Sequence, residues 1–541
     1  MRHVRTPFLI ALYAFFAGGA ALAQPEQALE SIRPHAIRAH MGFLADDLLE
    51  GRRTATRGYD LAAKYVAAQF EALGLEPAGT GGGYFQPVPM VRITENQPEC
   101  SLAFVREGRR TELRYWQDYV GGTQDGDVTA PAVFVGFGVT APELGYDDYA
   151  GIDARGKVVV SLFGAPPSFP HNQRAYHTEA LVWIRNALAH GAAGVLGIFP
   201  PEIERMFPWE LFVQHARWPA LSWLDEAGRP HYVGPPGATL SRKTAEELFA
   251  GAPYSLEEVF KNAESGRPRS FELPVRVSLR NTNQRERTES PNVAAVLRGS
   301  DPKLKDEYVV LTAHLDHVGV GDPVDGDAIY NGAYDNASGV AILLEVAKAF
   351  ASLPVAPRRS VLFLAVTGEE EGLNGSSFFA HHPTVPLDRI VANVNLDMIQ
   401  MLYPLRDVIA FGAEHSSLDL PVKEAARRLG IEVSPDPFPE QVMFIRSDHY
   451  SFVQKGIPSI YLNRGFQTGD PAMDGRALWD KWMQEAYHRP GDDMSQAIDF
   501  GAGAQFAKLN FLISYLVAQD DKAPSWNPGD FFGEKFRRGS E

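Results

Sequence analysis

Tyr308-Val-Val-Leu-Thr-Ala-His-Leu-Asp-His317 opens as a short apolar strand and ends in side chains that bind metals. A bounded apolar run of this length reads as a strand buried on both faces. The same change of character recurs further along. Ser360-Val-Leu-Phe-Leu-Ala-Val366 leads into Gly368-Glu-Glu-Glu-Gly-Leu373, and Val391-Ala-Asn-Val-Asn-Leu396 ends at Asp397. Between the first two strands, Gly332-Ala-Tyr-Asp-Asn-Ala-Ser-Gly339 opens a helix that runs from Ser338 to about Ser352. Apolar strands alternating with helices predict an α/β domain whose mixed, mostly parallel sheet is flanked by helices. Such sheets build their sites beyond the carboxyl ends of the strands. His314, Asp335, Glu369, Glu370 and Asp397 are therefore expected to meet, and Tyr487-His-Arg-Pro-Gly-Asp492 brings in His488 from a long loop.

Together these segments offer two His and three carboxylates in ligand positions, with one Glu to spare. Five such ligands can hold two divalent cations if one carboxylate bridges. His with carboxylate suits zinc, with cobalt or manganese as substitutes. Two cations ~3.5–4 Å apart make a bridging water hydroxide-like near neutral pH, and the spare Glu can manage its proton. That is the equipment of a hydrolase. Asp316 lies two residues from His314 on an extended segment, so both face the same side, and it is expected to fix the tautomer of His314. Each element alone has a duller reading. A lone His-x-Asp suits a surface pair, Asp335-Asn336 a helix cap, and Glu369-Glu-Glu371 a solvated face. It is the joint pattern that carries the chemistry.

In order and spacing, His314-Leu-Asp316, Gly332 to Gly339, Glu369-Glu-Glu-Gly-Leu-Asn-Gly-Ser376, Asn395-Leu-Asp397, Ser447-Asp-His-Tyr450 and Tyr487-His488 resemble the di-zinc exopeptidases of metallopeptidase family 28. The match spans the catalytic domain. The resemblance implies a zinc exopeptidase-like fold and two Zn2+, one held by His314 and Asp397, the other by Glu370 and His488. It further implies that Asp335 bridges, that Glu369 is the general base, with Asp316 supporting, and that the substrates are peptides. Glu371 falls at a variable position and is expected to stay solvated. Tyr334 stands where some relatives have Asp. His449 is a rival to His488 as last ligand, and His317 is open between a pocket and a structural role. The implied activity is an aminopeptidase. The alternatives are a carboxypeptidase or dipeptidase, for which Arg446 and Arg464 are candidate carboxylate holders, a glutaminyl cyclase, or a catalytically silent binding module.

The rest of the chain of 541 residues sets bounds. With Lys+Arg 51 against Asp+Glu 67, the net charge of -16 argues against a general grip on nucleic acid or anionic lipid. Arg2 and Arg5, the apolar run Phe8 to Phe16 and Ala21-Leu-Ala23 read as a cleavable signal peptide over 1–23. The mature chain is then expected to be periplasmic or extracellular, with no stable membrane insertion. The one cysteine, Cys100, can form no intramolecular disulfide and reads as a strand residue. Helices are expected within 33–75, so residues 24–125 form a helical and strand segment packing on the catalytic domain. Residues 126–285 read as an inserted, β-rich unit resembling the protease-associated domain, 286–520 as the catalytic domain, and 521–541 as a surface tail. The segment 463–487, with Trp479, Trp482 and Met483, reads as an insertion beside His488. Oligomeric state and side-chain preference stay open.

Overall fold

The computed structural model describes residues 25–266 and 268–538, and the expected signal peptide lies outside them. Two compact units emerge. One comprises residues up to 88, 290–437 and 446 onward, and the other residues 89–289 with 438–445.

The first unit is built on a sheet whose strands include β1 (Asn283–Leu297), β2 (Tyr308–His314), β3 (Ser360–Val366), β4 (Ile390–Asn395), β5 (Asp407–Phe411), β6 (Glu432–Ser434) and β7 (Ser459–Arg464). Their spatial order is β1-β3-β2-β4-β7-β5-β6. The block β3-β2-β4-β7 is parallel throughout. The edges are mixed: β1 runs antiparallel to β3 and β5 antiparallel to β7, while β6 is parallel to β5. This is the mixed, mostly parallel sheet that the sequence predicts.

Every residue of β2, β3 and β4 is buried. Their side chains alternate between two cores, as the period of two requires. Val309, Leu311, Val361 and Phe363 enter one core with α1 (Pro34–Leu44), α2 (Arg57–Ala72), α3 (Ser338–Ala351) and α4 (Phe500–Gln519). Val310, Leu362 and Leu364 enter the other, with Phe379 and Phe452. Phe363 packs on Phe70 and Phe350, a burial that contributes about 1.5–3 kcal/mol. α3 is buried on all sides except at Lys348 and Ala351, which explains why its sequence is apolar almost all round. Among the described residues, no helix is long and apolar enough to cross a membrane.

The second unit holds an eight-stranded mixed sheet that includes Ser101–Arg106, Tyr119–Gly121, Gly126–Phe134, Val158–Leu162, Gly194–Ile198 and Phe271–Asn281. The expected boundary at 125/126 is therefore misplaced. Ser101–Arg106 pairs with Phe271–Asn281, and Tyr119–Gly121 with Gly237–Leu240, partners more than 100 residues away that local pattern cannot reveal. Helices accompany the sheet, among them Ala180–Ala189, Trp209–Ala216 and Leu256–Glu264. Ser241 caps the helix Arg242–Leu248, accepting the Thr244 N–H. Cys100 is half-buried just ahead of Ser101–Arg106 rather than within a strand.

The C-terminal segment belongs to the first unit and is not a loose surface tail. Phe532 is fully buried, Trp526 donates to the Gly456 carbonyl at 3.0 Å, and Asp530 meets His415 at 2.7 Å. A composition rich in Pro and charge hid three anchoring side chains.

Candidate metal centre

Register puts the chemistry at one end of the sheet. His314 is the last residue of β2 and pairs with Val366, the last of β3, while Thr312 of β2 pairs with Asn395, the last of β4. The backbone continues the pattern for one step, since Leu315 donates to Val366 and Leu396 to Thr312, each at 2.8 Å. The three strands thus deliver His314, the turn Glu369-Glu370 and Asp397 to a common edge. Asp335 comes from the turn that opens α3. There Asn336 donates to the Leu396 carbonyl at 2.9 Å and accepts the Gly339 N–H, and the Asp335–Asn336 peptide is cis.

The donors converge. His314 Nε2 lies 3.0 Å from Asp397 Oδ1 and 3.2 Å from Asp335 Oδ1. His488 Nε2 lies 3.2 Å from Asp335 Oδ2 and 3.0 Å from Glu370 Oε2. Asp335 therefore turns one oxygen to each group. Glu369 offers an oxygen within 4.8 Å of donor atoms of His314 and Glu370. Among the described residues, donor groups of this kind occur only here.

Zinc fits this donor set. Ligands at ~2.0–2.2 Å in tetrahedral array stand roughly 3.3 Å apart, close to the separations within each group. The site also gathers Asp316, Asp335, Glu369, Glu370, Asp397 and Asp448 at low exposure. Buried carboxylates at this density need cations. Burial disfavours a charged imidazole at His488, yet Glu370 and Asp335 hold it up to about 10. Glu370 sits at about 2, because His488 and His317 outweigh its burial and the charge of Asp335. Glu369 moves the other way. Burial, with Asp397 and Glu370 as like charges, carries it well above the usual carboxylate range despite His314. Two adjacent glutamates are thus pushed in opposite directions by their surroundings, a split of the kind that acid–base catalysis can use.

The surroundings hold these groups in place. Asp316 is fully buried, and its two carboxylate oxygens accept the N–H groups of Glu369 and Glu370, each at 3.2 Å. Its contact with His314 Nδ1 runs through its backbone carbonyl at 3.1 Å, with the carboxylate at 4.0 Å. The expected tautomer control is therefore a backbone effect, and the carboxylate anchors the Glu turn. Ser447 donates to Asp397 Oδ2 at 2.6 Å and is itself fixed by Asn395 at 2.7 Å. Asp492 accepts from the Tyr334 and Asp335 N–H groups at 2.9 and 3.0 Å. Arg52, 1% exposed, donates to the carbonyls of Leu315, Asn331, Gly332 and Leu44.

Several expectations need revising. Glu371 is not solvated: it pairs with Arg53 at 3.1 Å and accepts from Thr54 at 2.9 Å. Arg464 is buried against the Tyr403 ring rather than open to a ligand, whereas Arg446 is exposed. His449 stacks on Tyr461 and is absent from the donor groups, which contain His488. Tyr334 is fully buried, with its ring on Trp482. That contact makes the helix Gly475–Glu485 part of the wall beside His488. Sequence reasoning passed over Arg52 and gave Asp492 no role. Asp492 stands in the quoted His488 segment, but Arg52 offered no signal, since the Arg52-Arg53 pair in a polar stretch reads as surface.

Residues 292–513 match the family model described as Peptidase family M28. The chain carries a peptidase family M28 domain. A protein of Aspergillus oryzae named probable leucine aminopeptidase 2 is 29% identical over 280 residues, covering 49% of this chain and 51% of its own. Aminopeptidase YwaD of Bacillus subtilis is 28% identical over 206 residues, covering 38% of this chain and 40% of its own. The chain thus matches about half the length or less of these curated relatives. The solved aminopeptidase from Aneurinibacillus sp. strain AM-1 superposes with a TM-score of 0.54 at 19% identity, covering 93% of this chain and 97% of that one, a likeness of fold.

Proposed function

We propose that this chain is an exported zinc-dependent exopeptidase, an aminopeptidase that removes N-terminal residues from peptides. The observation that carries the reading is the sharing of Asp335 between His314 with Asp397 and His488 with Glu370. Two zinc ions held by these five residues would supply Lewis acidity toward a scissile carbonyl and an acidified water. Glu369, kept prone to protonation by burial and its neighbours, takes up a proton and returns it to the leaving amine. Asp316 fixes the backbone of both glutamates, so base and ligand hold their relative orientation. The aminopeptidase names of the Aspergillus and Bacillus relatives favour cleavage at the amino end. The carboxypeptidase alternative loses Arg464 as a carboxylate holder and retains Arg446. The silent-module alternative is disfavoured by the completeness of the donor set and base. Export rests on the leader-like sequence of residues 1–23, and a protease-associated role for the 89–289 unit is part of the same proposal.

A panel of aminoacyl fluorogenic substrates with N-acetylated controls tests this. Turnover is expected on free-amine substrates alone, abolished by a chelator and restored by zinc. Equal turnover of the acetylated series, or chelator-resistant activity, overturns it.

A further inference from the structure

His317 is fully buried, and its Nδ1 lies 2.7 Å from Glu370 Oε1. The other oxygen, Oε2, is the one that faces His488 Nε2 at 3.0 Å. The two distances differ in kind. Atoms that share an ion stand roughly 3.3 Å apart, whereas 2.7 Å is a charge-assisted hydrogen bond. A ligating carboxylate is ionised and has only acceptors, so the nitrogen facing Oε1 must carry the hydrogen. The ring has little freedom to turn away. Gly332, at φ 61°, lies flat against it, and a Cβ there would come within 2.5 Å of the ring's Cγ. The backbone N–H of His317 donates to the Arg52 carbonyl at 3.4 Å.

We propose that His317 is a positioning residue that occupies Glu370 Oε1 and so restricts Glu370 to a single metal-facing oxygen, Oε2. This rests on the zinc-centre reading above. The segment 314–317 then does three jobs: His314 binds, Asp316 anchors the Glu turn and His317 orients the ligand carboxylate. It also makes the two ion positions unequal, because Asp397 is held by a neutral hydroxyl and Glu370 by an imidazole.

The test uses the full chain, stripped of metal and titrated with Zn2+ against a chromogenic competing chelator. The comparison variants are H317A, which deletes the donor, and H317N, whose amide nitrogen can take the Nδ1 position. Wild type is expected to bind two ions. H317A should lose about 10–100-fold in affinity at one of them, and H317N should stay close to wild type. Should H317A fail to fold, H317Q, whose amide falls at the Nε2 position, replaces it with the same expected loss. Unchanged affinities in the donor-deleted variant overturn the proposal, as does an H317N as weak as H317A, which would mean that packing and not the hydrogen bond matters. A wild-type chain that takes up no zinc overturns the metal reading itself, and the two failures are told apart by the wild-type titration alone.

Discussion

Replacing Arg52 by Met should destabilise the first unit by about 3 kcal/mol. Arg52 donates to four carbonyls, those of Leu315, Asn331, Gly332 and Leu44. Two of these segments carry His314 and Asp335, so the guanidinium ties one ligand strand to the turn that bears the shared carboxylate. A buried polar group that loses its partner costs about 1–3 kcal/mol. The low end applies here, because a carbonyl retains a second lone pair and tolerates the loss better than an N–H. Gly332 keeps the Ala337 N–H at 3.1 Å, so the three other losses at about 1 kcal/mol each give the figure. Met refills most of the volume, so no large cavity adds to it. Burial brings the Arg52 pKa down to about 10 against the pull of Asp492, Asp316, Asp335 and Glu370, so it remains a cation at neutral pH. Its removal also leaves those carboxylates with one fewer counter-charge. Urea unfolding read by hydrogen-exchange mass spectrometry on peptides covering 308–317 follows this unit separately from the other. A loss below about 1 kcal/mol would refute the reasoning, since it would mean that the three carbonyls left without a donor find water or other donors at no cost.

Glu369→Gln should retain zinc stoichiometry by mass spectrometry while kcat falls by about 10²–10⁴-fold; near-normal kcat with metal bound would remove Glu369 from the proton path. Glu95 of the second unit gives a pH test. Burial raises it from 4.5 to about 7, against the Tyr115 hydroxyl beside it. The folded state thus holds a proton that the unfolded chain releases at lower pH. Stability should fall as pH rises between those two values, by up to ~1.4 kcal/mol per pH unit, and be level above them. Glu95→Gln should flatten that slope in denaturant titrations, and an unaltered slope counts against the assignment.

The sequence alone determined the α/β layering, the strands that lead to His314, to the Glu369-Glu370 turn and to Asp397, and the chemical character of the donors. Each of these is local: apolar runs make buried strands, and the residue types at their ends carry the chemistry wherever they come to lie. What the sequence could not decide was which oxygen or nitrogen meets which. Asp316 proved to hold backbone amides of the Glu turn, Glu371 to pair with Arg53, and His317 to grip Glu370, because those partners lie some 50 residues apart or more. Arg52, Asp492 and the C-terminal anchors Trp526 and Phe532 were invisible for the same reason. A buried charge or aromatic ring is placed by the cost of leaving it unpaired, and only the tertiary structure shows what satisfies it.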